Sequence, residues 1–360
     1  MRLLMTASSF AHIHSFHLPY MKGFHDAGWE VDVACGGSIK EIPFAEKLIQ
    51  LPMEKRMLSV KNFQSARMLR SKIRDRQYDL VIVHTSLAAF CTRLALCGLR
   101  GAPKCINVVH GYLFYNGQGT LKSTLLKTAE LMFSHVTDLV LTMNEYDYLW
   151  AKRHKVAKKV GFIPGMGADE ERVQNKLKHD YGFEKEAFIL IYPAEFSKRK
   201  NQSVIISAIA QLPYRVKLIL PGNGALLERC RQQAESLGVS DRVGFPGYVT
   251  DIIPWIMGAD AAITSSLSEG LPFNVLEAMQ CGLPVIASRA KGNTELVADG
   301  INGYLFDDTE GLIQAVKMLL SDPGEIESLG EKGREMADEY SLKNAYPKVM
   351  ESYMRCFYEA

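Results

Sequence analysis

Two glutamates, Glu269 and Glu277, stand with seven residues between them, and Gly270-Leu271-Pro272-Phe273-Asn274 fills most of the gap. The run Ala261 to Thr264 before them reads as a buried strand. Asn274 to Gln280 reads as a short helix closed by Gly282 and Pro284, and Leu283 to Ala287 as the next strand. A Gly-containing loop between strand and helix aims backbone N–H groups at whatever lies above the sheet, and a helix N-terminus there favours an anion such as a diphosphate. Carboxylates repel phosphates, so both glutamates are expected to accept hydrogen bonds from hydroxyls. Phosphates together with polyol hydroxyls describe a nucleotide sugar. Two glutamates at this spacing also suit a solvated helix face; the flanking Gly-Leu-Pro and Cys-Gly-Leu-Pro favour the site.

Other candidates follow strand ends. Lys200 comes after the apolar run Ala187 to Ala194, and His110-Gly111 ends the run Cys105 to Val109. In an open parallel sheet the carboxyl ends of the strands are where ligands bind. His12, His14 and His17 crowd the stretch after the first strand, Arg2 to Ala7. Three readings apply to them: a metal site, capping of the following helix, or polar contact with an acceptor or donor phosphate. No acidic partner is nearby and the spacing does not suit one face, so phosphate contact is preferred.

The elements that must position these residues form a β/α series. Leu18 to Ala27 reads as a helix and Trp29 to Cys35 as a strand, which makes a β-α-β opening. Residues 8–17 read as a loop. Further strands are expected at Asp79 to His84, Asp138 to Met143, Val160 to Ile163, Val216 to Pro221 and Val243 to Gly247, and helices at Thr309 to Leu320, Glu325 to Glu339 and Leu342 to Tyr358. At 360 residues the chain is long enough for two domains. A net charge of +2 gives nucleic-acid binding no support. The seven cysteines form no Cys-x2-Cys pair and read as reduced thiols of a cytoplasmic protein. Neither a signal peptide nor a membrane span is expected.

With these residues in view, the chain resembles the family 4 glycosyltransferases, retaining enzymes of the GT-B fold, through their Glu-x7-Glu signature. It looks most like the subset acting on bacterial capsule, exopolysaccharide and lipid-linked glycans. The resemblance implies two Rossmann-like β/α domains facing a cleft: an acceptor-binding domain over 1–165, a nucleotide-sugar-binding domain over 166–340, and a terminal helix over 341–360 that returns to the first. It implies that Glu269 contacts the donor sugar, Glu277 holds the ribose hydroxyls, Gly270 to Asn274 approach sugar and diphosphate, and His110 contacts the sugar. Gly222-Asn223-Gly224 resembles the family's Gly-x-Gly turn near the nucleotide, and the backbone at Tyr248-Val249 is expected to meet the base. Lys200 falls on the family's phosphate-gripping lysine. Glu195 falls where the family usually has arginine, a change that removes a bidentate phosphate donor; Lys198 or Arg199 is positioned to compensate. Pro164 to Asp169 resembles the family's interdomain segment in shape.

The expected reaction moves a sugar from a nucleoside diphosphate sugar, UDP-linked by preference, to a polyprenyl-diphosphate-linked sugar. Without an Asp-x-Asp sequence, no metal is expected. A basic helix over 62–77, with Arg67, Arg70, Lys72, Arg74 and Arg76, and an amphipathic stretch over 120–133, with Lys122 and Lys127, suit either solvated faces or an anionic membrane surface. A nucleotide-sugar 2-epimerase and a non-catalytic sugar-nucleotide-binding subunit are the alternative readings.

Overall fold

Short apolar runs between Gly-rich and polar turns build two separate parallel sheets. The computed structural model describes residues 1–360 except Met57, Asn116, Gly117 and Ala360, and leaves out the side chains of Thr120 and Lys122. The Lys122 side chain expected at a membrane surface therefore lies outside the described residues.

Unit 1 comprises Met1–Gly167 and Lys343–Ala360. Its strands are β1 (Arg2–Ala7), β2 (Glu30–Cys35), β3 (Lys47–Gln50), β4 (Leu80–His84), β5 (Lys104–Val109), β6 (Leu139–Thr142) and β7 (Lys159–Phe162), in the order β3-β2-β1-β4-β5-β6-β7. The helices between them are α1 (Phe10–Phe16), α2 (Leu18–Asp26), α3 (Val60–Arg76), α4 (Ser86–Leu96), α5 (Thr120–Met132) and α6 (Glu145–His154). Unit 2, Ala168–Leu342, repeats the plan with β8 (Phe188–Ile191), β9 (Val216–Pro221), β10 (Val243–Gly247), β11 (Ala261–Thr264), β12 (Val285–Ser288) and β13 (Gly303–Phe306), ordered β10-β9-β8-β11-β12-β13. Its helices are α7 (Gln202–Ile209), α8 (Leu227–Ser236), α9 (Ile253–Gly258), α10 (Phe273–Gln280), α11 (Asn293–Leu296), α12 (Thr309–Ser321) and α13 (Pro323–Ala337). The last helix, α14 (Leu342–Tyr358), runs back into unit 1, where Tyr346 stacks on Tyr20 and Tyr353 on Phe24.

Helices on both faces of a parallel sheet bury its strands completely, which is why the strands are continuous apolar runs. All five residues of β4 are buried, as are all six of β9. In both sheets the strand order reverses beside the first strand, between β1 and β4 and between β8 and β11. Such switch points open a crevice at the carboxyl ends of the strands.

Three local expectations are corrected. Residues 8–17 are not a loop. Ser9 Oγ accepts from the His12 N–H, and Phe10 and Ile13 are buried, so the stretch forms α1. The edge strand β3 was not foreseen; it is four residues long, with an exposed lysine and glutamine at its ends. The basic helix is less free than its sequence implies. Arg70 donates to the carbonyls of Ala95, Cys97 and Gly98 at the end of α4, and Arg76 pairs with buried Asp32. Arg67, Lys72 and Arg74 remain exposed.

Candidate functional site

At the switch point of unit 2, the loop after β8 and the loop after β11 are tied together. Ser265 Oγ donates to the carbonyls of Lys200 and Asn201, the Tyr192 hydroxyl donates to the Lys200 carbonyl and meets Ser266 Oγ at 2.7 Å, and the Leu267 N–H donates to the Arg199 carbonyl. This clamp sets three charged side chains against one another. Lys200 Nζ lies 2.7 Å from Glu269 Oε1 and an Arg199 guanidinium nitrogen 2.6 Å from Glu269 Oε2. The Glu269 side chain is 9% exposed and that of Lys200 12%. Burial alone would raise the Glu269 pKa, but Lys200 and Arg199 reverse the effect and hold it below the usual carboxylate range. Two cations against one carboxylate leave this crevice with one positive charge in excess, the electrostatic condition for an anion.

Beyond Glu269 the chain enters α10, whose N-terminus carries no side-chain cap. Glu277 sits on this helix, largely buried, and accepts from Arg172 at 2.9 Å. Burial raises its pKa, and Arg172 offsets only part of the rise. Both signature carboxylates are thus held by cations in this structure, where hydroxyl partners were expected. Arg172 and Arg199 are the residues missed or left ambiguous by the sequence. Glu195 is exposed, and its carbonyl accepts from Gln202; the cation facing Glu269 beside Lys200 is Arg199.

The nucleotide-side candidates lie at the same sheet edge. A Cβ on Gly222 would stand 2.0 Å from the Ala194 carbonyl oxygen, and one on Gly224 2.4 Å from that of Phe196, so the Gly222-Asn223-Gly224 turn lies directly on the segment leading to Lys200. The Gly222 N–H donates to the Gly247 carbonyl, next to Tyr248, which is exposed, and Val249, which is half-buried. Gly270 and Phe273 to Asn274 adjoin Glu269 and the start of α10, with Leu271 and Pro272 buried between them.

Unit 1 has its own cluster at its own switch point. His12 and His17 follow β1, His84 ends β4 and His110 follows β5. The rings of His17 and His84 stack at 3.6 Å, His110 Nε2 lies 3.3 Å from His84 Nδ1, and His12 meets His110 edge-on at 4.8 Å. Burial pushes His17, His84 and His110 well below the ordinary histidine value and His12 down to about 4, so all four are neutral. His12 Nε2, both ring nitrogens of His17 and His84 Nε2 are buried without a hydrogen-bond partner; each such group costs about 1–3 kcal/mol unless something fills it. Thr85, beside them, is a β-branched residue at φ +71° whose Oγ1 accepts from the Ser8 N–H, a strained backbone of the kind that gathers at functional sites. A cavity of ≈ 320 Å³ lined by Ser8, Lys55, Thr85, His110 and Tyr112 opens here. His14 is exposed and stays out of the cluster. His84 was missed, although a histidine at a strand's carboxyl end is the signal that singled out His110.

The family profile described as "Glycosyl transferases group 1" matches residues 173–336, and "Glycosyl transferase 4-like" matches residues 3–144. The putative glycosyltransferase EpsD of Bacillus subtilis (strain 168) is 33% identical over 98% of this chain and 96% of its own length. The UDP-Gal:alpha-D-GlcNAc-diphosphoundecaprenol alpha-1,3-galactosyltransferase of Escherichia coli is 26% identical over 73% of this chain and 72% of its own. Anabaena HepE, solved in complex with UDP, superposes with a TM-score of 0.75 at 18% identity, covering 99% of this chain and 100% of that one; the likeness shows that the fold is GT-B.

Gly292 stands at φ +87°, and a Cβ there would lie 2.7–2.8 Å from Glu269. Gly292→Ala should therefore destabilise the protein by about 2–4 kcal/mol in urea unfolding. Gly300→Ala, also at positive φ but facing open space, should cost only about 1 kcal/mol.

Proposed function

The chain belongs to the group 1, family 4-like glycosyltransferases, and from that premise we propose that it transfers a sugar, with retention at the anomeric carbon, from a UDP-sugar to a polyprenyl-diphosphate-linked sugar during bacterial surface polysaccharide or glycan synthesis. The observation that carries the donor assignment is the buried Glu269 flanked by Lys200 and Arg199 at a switch point. The leaving group is a nucleoside diphosphate, so negative charge grows on it as the glycosidic bond breaks. Lys200, Arg199 and the N-terminal end of α10 stabilise that charge. As the phosphates take over the two cations, Glu269 turns to the sugar hydroxyls, and Glu277 turns from Arg172 to the ribose. The turn at Gly222-Asn223 and the backbone at Tyr248-Val249 receive the nucleoside.

Unit 1 takes the acceptor, with His110, His12 and His17 on the acceptor side. Retention is accounted for by a front-face route, in which the donor phosphate accepts the proton of the attacking hydroxyl and no side chain forms a covalent intermediate. Donor chemistry supplied by Lys200 and Arg199 requires no metal. A uridine donor and a lipid-diphosphate acceptor are supported by the names of similar proteins: HepE is described in complex with UDP, and the Escherichia coli relative acts on a diphosphoundecaprenol-linked GlcNAc.

A peripheral place at the inner membrane face is part of the same reading. Among the described residues no helix is long and apolar enough to cross a membrane. On α5, Leu121, Leu125 and Met132 are exposed, and on α3 Phe63 is exposed near Arg67. This combination of apolar and basic side chains suits an anionic lipid surface.

Two outcomes test the proposal. With a panel of UDP-sugars and a short polyprenyl-diphosphate sugar, Lys200→Met and Arg199→Met should each lower kcat roughly 10²–10³-fold, Glu195→Ala should change it less than about 3-fold, and NMR should show a product with the donor's anomeric configuration. An inverted product, or transfer indifferent to Lys200, contradicts the mechanism. Replacing Arg67, Lys72 and Arg74 together by serine should weaken sedimentation with phosphatidylglycerol vesicles about 100-fold, and Leu121→Glu with Leu125→Glu should weaken it as well; binding that survives both sets refutes the membrane assignment.

A further inference from the structure

The acceptor role given to His12, His17 and His110 leaves buried ring nitrogens of the cluster, His84 Nε2 among them, without a partner. A neutral imidazole carries one lone pair and one N–H, and four ring nitrogens here, on His12, His17 and His84, are buried without a hydrogen-bond partner. The titratable groups that act on His17 and His84 are neighbouring imidazoles. The donor atoms of His12, His17 and His110 all lie within 4.8 Å of one another. His17 and His84 are fully buried, while His110 lines the ≈ 320 Å³ cavity that leads to solvent.

We propose that His12, His17 and His110 form a three-imidazole site for a divalent transition ion, with Zn²⁺ as its occupant, and that His84 orients His110 from behind. An all-imidazole set selects borderline ions such as Zn²⁺, Cu²⁺, Ni²⁺ or Co²⁺ over Mg²⁺ and Ca²⁺, which prefer oxygen. Nitrogens at about 2.0–2.1 Å from a tetrahedral ion stand about 3.4 Å apart, so donor atoms now within 4.8 Å of one another need close by about 1.4 Å at most. The contact between His110 Nε2 and His84 Nδ1 is the outer-shell hydrogen bond that fixes a ligating ring, and the stack of His84 on His17 holds a second. Three protein ligands leave one coordination position open, and the adjoining cavity lets water or a substrate hydroxyl reach it. The ion site lies wholly within unit 1 and does not depend on the donor chemistry of unit 2. It departs from the expectation that no metal is present. That expectation rested on the missing Asp-x-Asp and, for His12, His14 and His17, on spacing and the lack of an acidic neighbour, whereas the sheet replaces His14 by His110 and adds His84.

The full-length protein, stripped with EDTA and dialysed, is titrated with Zn²⁺ in a calorimeter and with Co²⁺ in a spectrophotometer. The expected result is one ion per chain and the intense visible absorption of four-coordinate Co²⁺. His12→Ala, at a half-buried position, and His17→Ala should each abolish the stoichiometric site. His84→Ala should weaken it about 10–100-fold, and His14→Ala should leave it unchanged. Circular dichroism of each variant separates loss of the site from loss of the fold, and the wild-type titration is decisive without any variant. No stoichiometric ion, several weak ions, or binding indifferent to His12→Ala in the folded variant overturns the proposal. UDP binding, read on the same stripped protein, reports on the donor site alone, so failure of one does not pass for failure of the other.

Discussion

The constraint on which unit 2 depends is a carboxylate buried beside two cations. Glu269 has almost no exposure, and burial by itself works against its ionisation. Lys200 and Arg199 make the charge tenable, and the tie between the two loops after β8 and β11 makes the cations reachable. A buried ion pair is weak evidence of stability, since desolvation opposes its Coulombic gain. Its presence at a switch point, with an excess positive charge and a helix N-terminus without a side-chain cap alongside, suits an anion. Gly222, Gly224 and Gly292 then follow from the same constraint. Each allows a backbone to approach where a Cβ would collide, at Ala194, Phe196 and Glu269 respectively.

The two units repeat one topology and carry opposite electrostatics. In unit 2 the switch point holds charged groups, two cations against one buried carboxylate. In unit 1 it holds four neutral imidazoles, kept uncharged by burial. Charged groups of the first kind suit an anion; neutral imidazoles suit hydroxyls or a borderline metal ion.

The grouping around Glu269 was legible in the sequence because its residues are local. Glu269, Glu277 and the intervening loop fall within one strand-loop-helix unit, and Lys200 follows a strand whose apolar run is unmistakable. Which cation stands in for the family's arginine was not local. Lys198 and Arg199 are adjacent in sequence, and only the bend of the loop turns Arg199 toward Glu269 while Lys198 stays exposed. The histidine cluster was legible only in part, because His84 and His110 join it through the pairing of β1 with β4 and of β4 with β5. Helix α1 was missed since its signals, the Ser9 cap and the spacing of Phe10 and Ile13, are submerged among histidines. The basic helix misled for a general reason: charge in sequence does not distinguish an arginine that faces solvent from one that, like Arg70, closes another helix's carbonyls.

The most direct test of the central claim is a calorimetric titration of UDP, with GDP and ADP as controls, into wild type and Glu277→Ala in the presence of EDTA. The account predicts UDP binding by the metal-free wild type and its loss in the variant. UDP binding that ignores Glu277, or no binding of any nucleotide, would contradict the assignment of residues 269–277 as the nucleotide-sugar site.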